Sequence, residues 1–115
     1  VEKRFWLRLD ELIKSSEIVI DRPKGSRHPR YPDLIFPLDY GYLKGTTGGD
    51  GDGIDVWQGT AEHRQLNAIA CTVDMKKRDG EIKLIIGCTE EEIAIIEDFH
   101  NTKYMSDIII ERTKE

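Results

Sequence analysis

Apolar residues recur at three- and four-residue spacing near the start of the chain: Phe5, Trp6, Leu9, Leu12 and Ile13. That period puts them on one side of a helix over 4–14 and predicts a core-facing stripe. The Phe5/Trp6 face is also a candidate surface for assembly. The pattern then shortens into β-rich runs. Glu17-Ile18-Val19-Ile20-Asp21 predicts a strand ended by Pro23. Prolines 23, 29, 32 and 37 interrupt any regular period, so 23–37 is expected as a surface loop. Further strands are predicted over 40–43, 54–57, 66–73 and 82–87, the last two joined around Arg78-Asp79-Gly80. Thr89 and Glu92 stand three apart, as in a capping box, ahead of a helix that runs to about His100 and buries Ile93, Ile96 and Phe99. Ile108-Ile109-Ile110 is β-branched and predicts a last strand. Strands parted by loops, with helices towards the ends, imply a mainly β (α+β) domain, a small barrel or curled antiparallel sheet.

A length of 115 residues allows one domain with a single core, spanning 1–115. The formal charge of −5 disfavours a general nucleic-acid binder, as does the lack of aromatic stacking positions along a basic groove. The charge is uneven, however: Arg22, Lys24, Arg27, His28 and Arg30 form a basic run. Cys71 and Cys88 make no disulfide framework, which suits a reducing, cytoplasmic setting. With His28, His63 and His100 they show no zinc-ligand spacing, so they are expected as structural cysteines. No apolar stretch reaches membrane-spanning length and no secretory signal is visible, so no membrane partner is expected. The chain opens on Val1, and its native first residue is expected to lie upstream.

The glycine-rich segment 45–53 leads into the densest chemistry. Asp50-Gly51-Asp52-Gly53-Ile54-Asp55 carries three carboxylates in six residues. Residues two apart on an extended chain share a face at roughly 6–7 Å, so Asp50 and Asp52 can aim into one pocket. A bend at Gly53 can return Asp55 beside them. Such like charges repel by about 4 kcal/mol per pair at 4 Å with an effective dielectric near 20. A divalent cation removes that cost, and an oxygen-only ligand set suits Mg²⁺, Mn²⁺ or Ca²⁺. A helix-loop-helix calcium site is excluded, because its glycine and glutamate positions hold Asp55 and Ala61. Asp74 and Asp79 form a second acidic pair, and Lys24, Arg30, Lys83, Tyr40 and Tyr42 supply cations and hydroxyls. Carboxylates for metals opposite donors for anionic oxygens suit phosphoryl transfer to water.

These segments resemble the soluble (family I) inorganic pyrophosphatases. The family's D-G-D-P-x-D motif is matched by Asp50 to Asp55, with Gly53 for the proline. Its Y-P-x-N-Y-G-[FY]-[IV] segment resembles Phe36-Pro37-Leu38-Asp39-Tyr40-Gly41-Tyr42-Leu43. Its V-I-E-I-P strand resembles Val19-Ile20-Asp21-Arg22-Pro23, and its lysine-tyrosine step is met by Arg30-Tyr31. Asp74 and Asp79 match the spacing of its D-x4-D pair, and Lys83 its following lysine, two residues late. The family's next hairpin and its arginine are missing, and Phe99-His100 stands where a tyrosine-lysine pair holds phosphate.

The resemblance implies an OB-like five-stranded barrel with flanking helices, a cytoplasmic homo-oligomer, Mg²⁺ (or Mn²⁺) as cofactor and pyrophosphate as substrate. In its terms Asp50, Asp55, Asp74 and Asp79 hold metals, Asp21 stands near them, and Asp52 takes the proton of the attacking water. Arg30, Tyr40, Lys83 and Lys24 bind the phosphate. With the metal half kept and the phosphate half thinned, two alternatives stand beside pyrophosphate hydrolysis. One is hydrolysis of another phosphoanhydride, a nucleotide or nucleotide sugar. The other is an inactive module that binds metal or phosphate.

Overall fold

The computed structural model describes residues 2–112. In chain order the elements are α1 (Glu2–Lys14), β1 (Ile18–Arg22), β2 (Asp39–Leu43), β3 (Ile54–Gln58), β4 (Leu66–Asp74), β5 (Asp79–Ile86), α2 (Glu90–His100) and β6 (Met105–Glu111). The fold is α+β, with six strands in one sheet ordered β1-β2-β3-β5-β4-β6. The expected curled antiparallel sheet is corrected to a mixed one, because β3 and β5 run parallel. The chain leaving β3 passes over the position beside it, lays down β4 one strand further out and returns along β5 to fill the gap. Six strands replace the five of the resemblance, and no ladder among the described residues joins β1 to β6. None of the described helices is long and apolar enough to cross a membrane.

Alternation along the strands gives the sheet two apolar faces. One packs α1: Trp6, with Leu9, Leu12 and Ile13, meets Leu43, Val56, Leu66, Ile69, Leu84 and Ile86. Trp6 is buried while Phe5, beside it on the predicted stripe, stays 41% exposed. The other face packs α2 and the end of the proline-rich loop: Ile93, Ile96, Phe36 and Leu38 meet Trp57, Ala68, Ala70 and Ile85. The capping box forms as expected, Thr89 accepting from the Glu92 N–H and Glu92 accepting from the Thr89 N–H. Glu92 also accepts from the Thr60 N–H and hydroxyl, which ties the helix start to the segment after β3.

The β4–β5 hairpin turns earlier than the Asp79-Gly80 pair suggests. Asp79 already pairs with Asp74, and Gly80 with Val73. The Asp74 carboxylate accepts the N–H groups of Lys76 and Lys77 at 2.9 and 3.0 Å, bending the chain directly after β4. Arg78, at φ 58°, supplies the left-handed residue that closes the turn.

Candidate metal centre

Three carboxylates converge at one end of the sheet face that packs α2. Asp50 comes from the glycine-rich loop, Asp55 from β3 and Glu81 from β5, and one oxygen of each lies within 4.8 Å of the others. Two glycines shape the loop. Gly51 turns at φ 89°, where an L side chain is strained. At Gly53 a Cβ would fall 2.7 Å from Tyr42 Cδ2, so the Tyr42 ring occupies the space that a proline there would need.

Asp55 shares its face with Trp57, and Glu81 shares its face with Lys83 and Ile85, because residues two apart on a strand point the same way. Lys83 is the internal counter-charge. Its Nζ lies 2.8 Å from Asp55 Oδ2, 3.2 Å from Glu81 Oε2 and 2.6 Å from the Tyr40 hydroxyl oxygen. Burial acts to lower the pKa of Lys83, but Tyr40, Asp55 and Glu81 outweigh it and hold it above its ordinary value. Burial pushes the Tyr40 phenol up despite Lys83, and it is hydrogen-bonded to Asp55 as well. The centre therefore holds a charged lysine and a neutral phenol.

One lysine against three carboxylates leaves an excess of negative charge, and the carboxyl groups respond to it. Glu81 has its pKa raised by burial, by the nearby Asp55 and by its hydrogen bond to Asp50, against the pull of Lys83. Asp50 is held below the ordinary carboxylate value: partial burial opposes this, but the Asp52 N–H and the hydrogen bond from Glu81 outweigh it. Their mutual hydrogen bond thus favours the charged form of Asp50 and the protonated form of Glu81. A hard divalent cation between the three carboxylates would meet three oxygen ligands, the donor type that Mg²⁺ and Mn²⁺ prefer. Beside Glu81 on β4, Thr72 is 3% exposed, and its hydroxyl has no hydrogen-bond partner among the described residues. The donor chemistry fits a bound cation with its water.

Of the residues singled out from the sequence, Asp50, Asp55, Tyr40 and Lys83 are brought together. Asp52 is exposed in the loop beside them, its N–H donating to Asp50 Oδ1 at 3.0 Å. Asp74 and Asp79 lie outside the group of three: Asp74 holds the hairpin turn, and Asp79 starts β5 opposite it. Glu81 completes the group instead. Its signal in the sequence was Glu81-Ile82-Lys83, an acid and a lysine two apart on a strand, but the D-x4-D spacing pointed to Asp79.

Lys24 donates its backbone N–H to Asp39 Oδ1, and the Arg30 N–H donates to His28 Nδ1, both on the exposed loop. Asp21 is exposed beside Arg22 at 3.4 Å. Phe99 and His100 pack inward. The Trp57 indole only donates, and it does so to His100 Nε2 at 3.2 Å, so His100 carries its proton on Nδ1 and gives it to Asp107 at 2.8 Å. Burial lowers the pKa of this imidazole, although Asp107 opposes the shift. Compared with known proteins, the chain matches no family model and no curated relative.

Proposed function

We propose that this protein hydrolyses inorganic pyrophosphate to two phosphates with Mg²⁺ as cofactor. The observation that carries the reading is the convergence of Asp50, Asp55 and Glu81 to within 4.8 Å around the buried Lys83. Those three carboxylates would hold the ion, which when bound polarises phosphoryl oxygens and makes a water nucleophilic near neutral pH. Asp79 precedes Glu81 by two residues on β5 and so shares its face, from which a second ion can be held. Asp52, exposed at the rim, takes the proton of the attacking water as its oxygen bonds to phosphorus and the bridging oxygen leaves with the other phosphate. Lys83 and the Tyr40 hydroxyl, already hydrogen-bonded to each other, neutralise charge gathering on the leaving phosphate. Lys24 and Arg30 on the exposed loop add positive charge at the entrance.

On this reading the six-stranded sheet is a curled relative of an OB-like barrel, with β6 added beside β4. A cytoplasmic homo-oligomer belongs to the same reading. The test is phosphate release from pyrophosphate with and without millimolar Mg²⁺, with Asp55→Asn as the control. Release that needs the metal and disappears in Asp55→Asn is expected. No release with either Mg²⁺ or Mn²⁺ would reduce the protein to a binding module.

A further inference from the structure

The β4–β5 turn stands between two loops of opposite charge. On one side the acidic loop packs against it, with Gly49 so close to the Gly80 carbonyl that a Cβ would collide. On the other side Lys76 Nζ donates to the Tyr31 hydroxyl at 3.1 Å and sits 5.1 Å from the centre of that ring, joining the turn to the proline-rich loop. Lys77 is in electrostatic reach of both Asp50 and His28. The turn therefore brings Lys76 to Tyr31 and Lys77 within reach of His28, which Arg22 and Arg30 also approach, and of Asp50, with Arg78 next along the turn.

The carboxylates reach this charge only at longer range, Asp50 acting on Lys77 and Asp74 on Lys76. Of those cations only Arg22 is in an ion pair among the described residues, with Asp21. Asp74 spends its carboxylate on the amides of Lys76 and Lys77. Asp33 and Asp79 are the carboxylates left on these segments, in a chain whose net charge is −5. His28 is held below its ordinary pKa by burial and then by Arg22, Lys77 and Arg30, so these cations crowd one another. Arg78 occupies a left-handed conformation that glycine would adopt without strain. A cationic rim with few close ion pairs next to a cation-binding centre suits the two ends of a chain of phosphates.

We infer that the rim formed by Arg22, His28, Arg30 and the Lys76–Lys77–Arg78 turn binds the distal phosphates of a phosphoanhydride chain of three or more phosphates. The rim thus extends the substrate class from pyrophosphate to a triphosphate, inorganic or nucleoside-linked, one end at the carboxylates and the other on the rim. This rests on the hydrolase reading for the near end only.

The experiment is titration calorimetry in Mg²⁺ with methylene-bridged, non-hydrolysable diphosphate and triphosphate. Expected is triphosphate binding at least about tenfold tighter than diphosphate, the scale of one charge-assisted hydrogen bond. Lys76→Gln/Lys77→Gln should weaken the triphosphate by about tenfold or more and the diphosphate by clearly less. Lys14→Gln, on α1, should leave that ratio alone. Arg78→Gly relieves the turn, so it should weaken the triphosphate without lowering the unfolding midpoint. Equal affinity for the two ligands, or equal weakening of both in the double variant, overturns the inference. A nucleoside triphosphate analogue in the same series separates the two sources. Pyrophosphate turnover without a triphosphate preference leaves the hydrolase reading and removes this one; the preference without turnover does the reverse.

Discussion

Replacing Lys83 with methionine keeps the length of the side chain and removes its charge from the centre. The ammonium lies 2.8 Å from Asp55 and 3.2 Å from Glu81, with side chains 7%, 19% and 9% exposed. At an effective dielectric near 20, contacts of that length are worth about 5–6 kcal/mol each before desolvation is charged against them. Most of that gain offsets the cost of burying the ions, so the pair adds little net stability. Breaking it is another matter, because Asp55 and Glu81 lose their buried counter-charge, at a cost of about 3–5 kcal/mol. For a chain of this size about 1 kcal/mol moves the midpoint by roughly 4 °C, so Lys83→Met should melt about 12–20 °C lower without metal.

The decisive comparison adds Mg²⁺. An ion that binds only the folded state stabilises it by mass action, about 2.7 kcal/mol at a hundred times its dissociation constant. Freed from Lys83, Asp55 and Glu81 become stronger ligands, so the Mg²⁺-dependent rise should be larger in Lys83→Met than in the wild type. Lys83→Arg, which keeps the charge, should lose clearly less stability. Thermal unfolding of the three proteins across millimolar Mg²⁺ checks this. A loss below about 1 kcal/mol, or the same Mg²⁺ response in wild type and Lys83→Met, would refute the account of Lys83 as a stand-in cation.

Three further outcomes follow from the same geometry. Asp52→Asn should keep the fold and the Mg²⁺-induced rise in midpoint while lowering phosphate release at least about 10²-fold, read in a single-turnover assay. Glu81 has its pKa raised in the folded state, so its contribution to stability is full below its unfolded value and is lost as the pH rises through the folded one. Glu81→Gln should therefore gain stability near neutral pH without metal yet bind Mg²⁺ at least about tenfold more weakly, by denaturant titration and calorimetry. His100 has the opposite sign: its folded pKa lies below the ordinary 6.5, so stability present above that value falls as the pH drops through it. His100→Asn should flatten the loss of stability on acidification, measured as the denaturation midpoint against pH.

What the sequence determined by itself was local. The α1 stripe, the Thr89/Glu92 cap and the strand segments rest on contacts within a few residues, and each lies within a residue or three of its expected bounds. The acidic loop was legible for the same reason, since Asp50 and Asp55 are five apart and glycines allow the bend between them. Tertiary structure decided whatever depends on register and on partners distant in the chain. Whether Asp79 or Glu81 joins the centre is set by where the hairpin turns, and a two-residue shift keeps the face while moving the side chain along the strand. That Asp55 meets Lys83, 28 residues away, follows from the parallel β3–β5 pairing, which no local pattern announces. His100 faces Trp57 and Asp107 rather than a phosphate because α2 packs across β3 and is followed by β6. Period and caps are written in short-range sterics and hydrogen bonding, whereas the electrostatics of this centre depend on which strands become neighbours.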